Sequence, residues 1–225
     1  MNDSEVHAYL IPGMGADKRL FDPIELKSVQ IHVLEWEYIP GISSLEEYAR
    51  HLAQKISTTN NIYIGSSMGG MMAVELHAVK PANELVLLSA PASRLEYPPI
   101  LKAASRLRAG KWFNAKQLKQ MNAVADMFMG FSNNNHRAVF YEMLDAYGHD
   151  FLKYAVNAIL DWDRKERPNA YLQIIGSEDR LFKAHRMKRP VVLEGSGHFL
   201  TYEQAKELSR IINEHLEKSL EKSIK

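Results

Sequence analysis

The pattern Gly-Ser-Ser-Met-Gly at residues 65–69 constrains the fold more than any other stretch of the chain. The apolar run before it predicts a buried strand, and the apolar run after it predicts a helix. A serine between glycines at a strand-to-helix turn is typical of a nucleophile elbow. Glycine suits the outer positions because a Cβ there would crowd the strained turn. This frame selects Ser67 over Ser66 as candidate nucleophile, with Gly65 and Gly69 as the flanking glycines.

Short apolar runs recur along the chain and alternate with helical segments. The sequence predicts six strands near residues 6–11, 31–36, 62–64, 85–88, 170–175 and 190–193. One helical segment begins at a capping box formed by Ser44 and Glu47, and a long amphipathic one begins at about Tyr202. This alternation predicts βαβ units. We therefore expect an α/β fold in three layers, with a mainly parallel central sheet of about six strands.

The segment 92–165 interrupts the alternation of strands and helices. It contains no strand-like run and predicts helices, with a break at residues 133–135. A chain of 225 residues is long enough for one sizeable core but short for two full domains. We expect residues 1–91 and 166–225 to form the core, and residues 92–165 to form a helical cap inserted in the same domain.

A serine hydroxyl becomes a good nucleophile only when a base removes its proton. Histidine suits this role because its unperturbed pKa lies near neutrality. Of nine histidines, His198 is favoured because it follows the last predicted strand in a glycine-rich segment, where ligands bind in open α/β sheets. A carboxylate then has to orient the imidazole. Asp179, after the strand 170–175, is the candidate, and the adjacent Glu178 is its main competitor.

An oxyanion hole needs two backbone N–H groups directed at the developing charge. Met68, directly after the candidate nucleophile, is expected to supply one of them. The second is assigned to Met14, in the glycine-rich loop 12–15 that follows the first predicted strand. All these parts follow predicted strands, and the serine, aspartate and histidine occur in the chain order expected for a triad on such a sheet.

Composition and charge argue against several other classes of protein. A net charge of +1 argues against nucleic-acid binding driven by overall charge, and the lack of cysteine excludes disulfides and thiolate metal sites. His149 and Asp150 stand side by side without a partner cluster, so we predict no metal and no cofactor. The sequence shows neither a signal-peptide core nor an apolar run of membrane-spanning length. We expect a cytoplasmic protein without a membrane partner.

These motifs make the chain similar to the α/β-hydrolase superfamily, especially its small single-domain esterase-like members. The resemblance covers about residues 6–91 and 168–216 and is carried by the segments 12–17, 65–70, 176–179 and 195–199. It implies that Ser67 is the nucleophile, His198 the base and Asp179 the acid, and that Met14 and Met68 are the oxyanion donors. It also implies that the segment 92–165 is a variable cap that shapes substrate choice. Family members often have His-Gly where this chain has Pro12-Gly13, a difference that affects loop support more than the main-chain donor.

Two features of the chain bear on the substrate. Apolar residues in and near the cap are candidates to line a pocket for an acyl or aryl group: Met127, Met129, Phe131 and Phe199. Packing of the cap onto the core is the simpler interpretation of the cap residues among them. A basic stretch is a candidate docking surface for an acyl-carrier protein or a CoA-linked substrate: Arg94, Lys102, Arg106, Arg108 and Lys111. A solvated helix face is the simpler interpretation of this second set.

The predicted function is that of a serine hydrolase that cleaves a carboxylic ester or thioester through an acyl-enzyme. One alternative is a C–C hydrolase, lyase or acyltransferase on the same scaffold, which would show little turnover of simple acyl esters. The other is a non-catalytic receptor or binding module of this fold. Failure of Ser67 to react with a fluorophosphonate would favour that second alternative.

Overall fold

A single six-stranded sheet organises the protein. The computed structural model describes residues 5–108, 110, 126, 129–131 and 133–223. The strands β1 to β6 span His7–Ile11, Gln30–Val33, Asn61–Ser66, Glu84–Leu88, Leu172–Gly176 and Val191–Leu193. Their order across the sheet is β2-β1-β3-β4-β5-β6, and every neighbouring pair is parallel. The predicted α/β fold with six strands is confirmed, and the sheet is entirely parallel.

Seven α-helices lie in the described part of the chain. Labelled α1 to α7, they span Leu45–Lys55, Met68–Val79, Pro99–Arg106, Asn134–Asp145, His149–Asp161, Leu200–Glu203 and Ala205–Ser223. The capping box predicted at the start of α1 is confirmed, because the Ser44 hydroxyl accepts from the Glu47 N–H and the Glu47 carboxylate accepts from the Ser44 N–H. No helix within the described ranges is long and apolar enough to cross a membrane.

Both faces of the sheet are buried under helices. Side chains alternate along each strand, so that Tyr9 and Leu87 face one layer while Leu10 and Val86 face the other. Residues of α1, α2 and α5 pack in the first layer, and residues of α4, α6 and α7 pack in the second. Because the inner strands β1, β3, β4 and β5 are covered on two sides, their sequences are mostly apolar rather than alternating, whereas the edge strand β2 is largely exposed.

Several element boundaries differ from the predicted ones by one to three residues. Strand β2 ends at Val33 rather than at residue 36, because Trp36 turns into the core and its Nε1–H donates to the Pro12 carbonyl at 2.8 Å. Strand β5 begins at Leu172 rather than at residue 170. The long helix predicted from about Tyr202 is two helices, α6 and α7, which are interrupted at Gln204, where ψ is 36°.

Within the described residues of the segment 92–165, α3, α4 and α5 are joined by turns and irregular stretches, and none of these residues forms a strand. Helix α5 and the turn before it contact loops at the carboxyl edge of the sheet. The Tyr147 hydroxyl donates to the Ala16 carbonyl at 2.8 Å, and the Tyr154 hydroxyl contacts the Ser44 carbonyl at 3.3 Å. The loops so contacted follow β1 and β2. That this segment acts as a cap stays a prediction.

A buried ion pair fastens the end of this segment to α2. The Glu75 carboxylate, in a residue 2% exposed, accepts from Arg164 Nε at 2.6 Å and Nη2 at 2.7 Å, and from Trp162 Nε1 at 2.7 Å. Hydrogen bonding to this carboxylate raises the pKa of Arg164. Bidentate pairing of this kind is strong and directional. It holds the chain that leads back from α5 towards β5.

We expect Glu75→Ala to lower the free energy of unfolding by about 3 kcal/mol, because it leaves a partly buried guanidinium and a buried indole N–H without their acceptor. Urea denaturation followed by circular dichroism measures the loss. The matched control is Glu207→Ala, which removes an exposed carboxylate that pairs with Arg210 and is expected to cost far less, because water screens exposed ion pairs. Equal losses in the two variants would contradict the anchoring role of Glu75.

Candidate active site

Ser67 occupies a strained turn between β3 and α2. Its φ of 53° and ψ of −119° lie in a region that residues other than glycine seldom adopt. The turn is held by the Ser67 N–H, which donates to the Leu88 carbonyl at 2.9 Å, and by the Ser67 carbonyl, which accepts from Gly70 N at 2.9 Å. Ser67 is partly exposed, whereas the neighbouring residues on both sides are buried. The side chain of Ser67 is therefore accessible at the carboxyl edge of the sheet.

The close approach of backbone segments explains the glycines around Ser67. A Cβ at Gly65 would lie 2.2 Å from the Gly69 carbonyl oxygen, and one at Gly69 would lie 2.0 Å from the Ile11 carbonyl oxygen. Both distances are far below van der Waals contact, and the obstructing atoms are backbone rather than flexible side chain. Glycine at these two positions allows β3, α2 and the end of β1 to meet at the turn.

Ser67, His198 and Asp179 form one hydrogen-bonded line. His198 Nε2 lies 2.9 Å from Ser67 Oγ, and His198 Nδ1 lies 2.8 Å from Asp179 Oδ2. His198 is 4% exposed and Asp179 is fully buried. A carboxylate can only accept, so Nδ1 carries the proton and Nε2 is left to accept the serine hydroxyl. The competitor Glu178 is exposed and lies outside this line.

The carboxylate of Asp179 is fixed by the chain that follows it. Its Oδ1 accepts from the N–H groups of Leu181 and Phe182, each at 2.8 Å, and its Oδ2 faces His198. These bonds orient the carboxylate and compensate its burial, which would be costly for an unpaired charge. The geometry holds the imidazole in one tautomer and one orientation.

Sheet topology explains why these residues meet. They follow β3, β5 and β6, and carboxyl ends of parallel strands lie at one edge. Strand β1 lies between β2 and β3, so the chain direction across the sheet reverses between β1 and β3. Ligands of open α/β sheets bind at such a switch point. Ser67 and the loop after β1 lie there.

The loop after β1 lies against Ser67. A Cβ at Gly13 would lie 3.2 Å from Ser67 Cβ, and the pairing of Ile11 with Gly65 holds the two strand ends level. In the described part of the chain, no hydrogen bond uses the N–H of Met14 or of Met68. Both amides, proposed from the sequence as oxyanion donors, therefore have no partner among the described residues. Their role stays a prediction.

Two supports of this loop were missed in the sequence. The indole of Trp36, 6% exposed, holds the Pro12 carbonyl. Arg19 binds Asp17 at 2.7 Å and donates to the Glu142 carbonyl of α4 at 3.3 Å. Burial raises the pKa of Asp17, but hydrogen bonds and charge from Arg19 outweigh it, so the pKa lies below its ordinary value. In the sequence alone, neither a tryptophan nor a pair of charged loop residues indicates that it supports the loop after β1.

The loop that carries His198 is held by two further groups that the sequence analysis did not single out. The His198 N–H donates to the Met129 carbonyl at 3.0 Å. The Glu203 carboxylate accepts from the N–H of Gly197 at 2.6 Å and from the hydroxyl of Ser196 at 3.0 Å. A carbonyl has no side-chain signature, and one glutamate at the end of a short helix is unremarkable in sequence.

Of the candidate pocket residues, Met129, Phe131 and Phe199 lie close to the His198 loop. Phe131 and Phe199 pack with ring centroids 5.5 Å apart, and Phe199 is 2% exposed. Met129 is partly buried against the same apolar cluster. Met127 lies outside the described residues. These contacts place Phe131 and Phe199 in the apolar core, and their lining of a substrate pocket stays a prediction.

The basic surface predicted from the sequence is smaller in the structure. Arg94 is not available to a partner, because its guanidinium donates to the carbonyls of Leu160 and Trp162 and to Ser105 Oγ. The tertiary fold brings α5 to this arginine, which the local charge pattern does not show. The remaining described cations are Lys102, which is partly buried, and Arg106 and Arg108, which are exposed. Lys111 lies outside the described residues.

Metal ligands are not clustered in the described part of the chain. No group of three or more histidine, aspartate or glutamate side chains there is arranged to hold a metal ion. His149 Nδ1 lies 3.5 Å from Asp150 Oδ1, and this pair alone provides too few ligands for a site.

We expect Gly69→Ala to abolish reactivity at Ser67 and to destabilise the fold by several kcal/mol, because the new Cβ would overlap the Ile11 carbonyl. Thermal unfolding and fluorophosphonate labelling measure the two effects. Gly148→Ala is the matched control, since a Cβ there meets nothing within 4 Å; we expect it to unfold and label like wild type. Full labelling of Gly69→Ala would show that the close approach is not needed.

Comparisons with solved structures show the same fold. A thermophilic esterase from Thermogutta terrifontis superposes with a TM-score of 0.70 at 17% identity, over 95% of this chain and 90% of that chain. A hydrolase from Oleispira antarctica gives a TM-score of 0.74 at 16% identity, over 95% of this chain and 92% of that chain. YbtT, a type II thioesterase from the yersiniabactin NRPS/PKS pathway, gives a TM-score of 0.68 at 17% identity, over 97% of this chain and 96% of that chain. At these identities the likeness concerns the fold alone.

No single curated protein matches the sequence significantly. A family profile, in contrast, matches nearly the whole chain. The profile of the alpha/beta hydrolase family matches residues 2–211, which include every strand and the three residues of the hydrogen-bonded line. The fold, the strained serine turn and this match agree, and the chain belongs to the alpha/beta hydrolase family.

Proposed function

We propose that the protein is a serine hydrolase that cleaves a carboxylic ester or thioester through an acyl-enzyme. One observation carries the proposal. Ser67 Oγ lies 2.9 Å from His198 Nε2, and the other ring nitrogen lies 2.8 Å from the buried Asp179 carboxylate. A base within hydrogen-bond reach of the nucleophile, itself oriented by a third group, is the arrangement that nucleophilic catalysis needs.

In the proposed first step, Ser67 Oγ attacks the carbonyl carbon of the substrate and His198 Nε2 takes the hydroxyl proton. Asp179 keeps the Nδ1 proton directed at its carboxylate and stabilises the imidazolium that forms. The imidazolium then protonates the leaving alcohol or thiol. The Ser67 ester formed in this way is the acyl-enzyme.

The negative charge on the substrate oxygen is assigned to the N–H groups of Met14 and Met68. Met68 is the first residue of α2, so the positive end of the helix dipole adds to the attraction between its N–H and the negative charge. In the second step His198 removes a proton from water, which attacks the acyl carbonyl and releases the acid. Ser67 regains its proton from His198, and the cycle closes.

The structural neighbours support ester chemistry in general terms. They include an esterase and a type II thioesterase at similar TM-scores. A C–C hydrolase, lyase or acyltransferase would use the same three residues and differ in what enters the site. A non-catalytic binding module has no need of a strained serine in contact with an oriented histidine, which favours an enzyme.

We expect Ser67→Ala to abolish fluorophosphonate labelling and hydrolysis of a short p-nitrophenyl ester. Asp179→Asn should reduce kcat by about 10³- to 10⁴-fold, because an amide in place of the carboxylate stabilises the wrong imidazole tautomer. Ser66→Ala is the matched control, since it changes the adjacent buried serine and keeps Ser67. Unchanged ester hydrolysis by Ser67→Ala would refute the assignment.

A carrier-linked or CoA-linked thioester is the second candidate substrate. One face of the chain favours it: α3 and the residue after it expose Ile100 at 58% and Leu107 at 74%, beside the exposed cations Arg106 and Arg108. Exposed apolar side chains on an element that also exposes positive charge suit an acidic carrier protein. The fold is also that of YbtT, a type II thioesterase.

We expect turnover of a carrier-linked thioester to fall steeply when salt is raised from about 0.1 M to about 1 M, as the Debye length falls from about 10 Å to about 3 Å. Hydrolysis of a p-nitrophenyl ester should stay nearly constant over this range. Replacing Arg106 and Arg108 with alanine should remove the salt dependence, whereas replacing the exposed Lys27 and Lys206 should keep it. Salt-independent turnover of the carrier substrate would count against this candidate.

A further inference from the structure

The loop between β6 and α6 presents His198 to Ser67 and has little regular structure of its own. It spans residues 194–199, and Gly195 within it has a φ of 73°. Such a loop takes its shape from contacts with the rest of the chain. The His198 Nε2 to Ser67 Oγ distance of 2.9 Å therefore depends on whatever holds this loop.

Glu203 makes two of these contacts through its side chain. It ends the short helix α6, which folds back so that its carboxylate meets the two residues before His198. Its Oε2 accepts from Gly197 N at 2.6 Å and from Ser196 Oγ at 3.0 Å. Hydrogen bonds to an ionised acceptor are about twice as strong as neutral ones. Ser196 is fully buried, so its hydroxyl has few other partners within reach.

The same turn also joins the base to the acid. The Ser196 carbonyl accepts from Glu178 N at 2.9 Å, one residue before Asp179. A Cβ at Gly176, at the end of β5, would lie 2.1 Å from that carbonyl oxygen, so the two loops are in close contact. A shift of the Ser196-Gly197 turn would therefore disturb both loops.

The other side of the turn is covered by the segment 129–131. The Met129 carbonyl accepts the His198 N–H at 3.0 Å, and a Cβ at Gly197 would lie 2.8 Å from the Gly130 carbonyl oxygen. The turn is thus confined between this segment and the Glu203 carboxylate. Of the two, only Glu203 acts through a side chain that substitution can remove.

We propose that Glu203 is a positioning residue: its carboxylate holds the Ser196-Gly197 turn so that His198 stays within hydrogen-bond reach of Ser67 and Asp179. The inference rests on the proposed function and adds a residue to that same site. Glu203 touches neither the substrate nor the reacting atoms. Its effect reaches the reaction through the placement of the imidazole.

Loss of this carboxylate should change the rate of attack and leave substrate binding intact. The Gly197 N–H and Ser196 hydroxyl would lose their acceptor, and the turn would relax to find another. A displacement of about 1 Å in a catalytic group can cost about 10²-fold in rate. Because Glu203 contacts the two residues before His198 and not the substrate, KM should be preserved.

The test compares Glu203→Ala, Glu203→Gln and the matched control Glu207→Ala, which removes a carboxylate of α7 that pairs with Arg210. We expect Glu203→Ala to lower both kcat and the rate of fluorophosphonate labelling by about 10- to 100-fold, with KM within about twofold of wild type. Glu203→Gln keeps one acceptor oxygen and should recover most of the rate. Glu207→Ala should match wild type.

Proton NMR gives a readout that needs no turnover. The His198 Nδ1 proton bound to Asp179 should give a strongly downfield resonance in wild type, in Glu203→Gln and in Glu207→Ala, and a broadened or absent one in Glu203→Ala. A sharp, unshifted resonance in a folded Glu203→Ala protein, or labelling at the wild-type rate, would overturn the inference. If wild type itself resists labelling, the proposed function fails, while the resonance still decides whether Glu203 positions His198.

Discussion

The close approach of backbone at the turn from β3 to α2 is the constraint on which the site depends. The Gly65 and Gly69 backbones pass so near to each other and to Ile11 that no Cβ fits at either position. This approach forces Ser67 into its strained conformation and places the loop after β1 against it. The energy of the strain is offset by a large core on both faces of the sheet. A rigid sheet edge thereby presents one accessible hydroxyl.

Buried carboxylates organise the parts of the chain that the sheet does not reach. Glu75 holds the end of α5 through Arg164, and Glu96, fully buried, accepts from Arg167, Gln173 and the Ala92 N–H. Glu203, which is only partly buried, does the same for the turn before His198. Each carboxylate binds several donors at once, and for the buried Glu75 and Glu96 these bonds compensate the loss of water around the charge. The result is a set of loops with defined shapes around Ser67.

Much of the fold and of the site could be predicted because parallel strands impose a simple rule. Ser67, Asp179 and His198 each follow a strand, and carboxyl ends of parallel strands meet at one edge, so local pattern sufficed to place them together. Prediction failed where a side chain's partner lies far away in sequence. Arg94 looked like part of a basic surface, yet its guanidinium is bound by carbonyls near residues 160–162. The supports supplied by Trp36 were missed for the same reason.

Local sequence patterns were enough to identify the class of fold, the strained serine and the chain order of its partners. These follow from short-range physics: the periodicity of apolar residues, and the need for glycine where backbones touch. The choice between Asp179 and Glu178 required the three-dimensional fold, since burial and the contact with His198 distinguish two adjacent carboxylates. The same is true of the exposure of the cations in the segment 92–165 and of the groups that hold the His198 loop. Those choices depend on long-range packing, in which each polar group takes whatever partner the fold brings near.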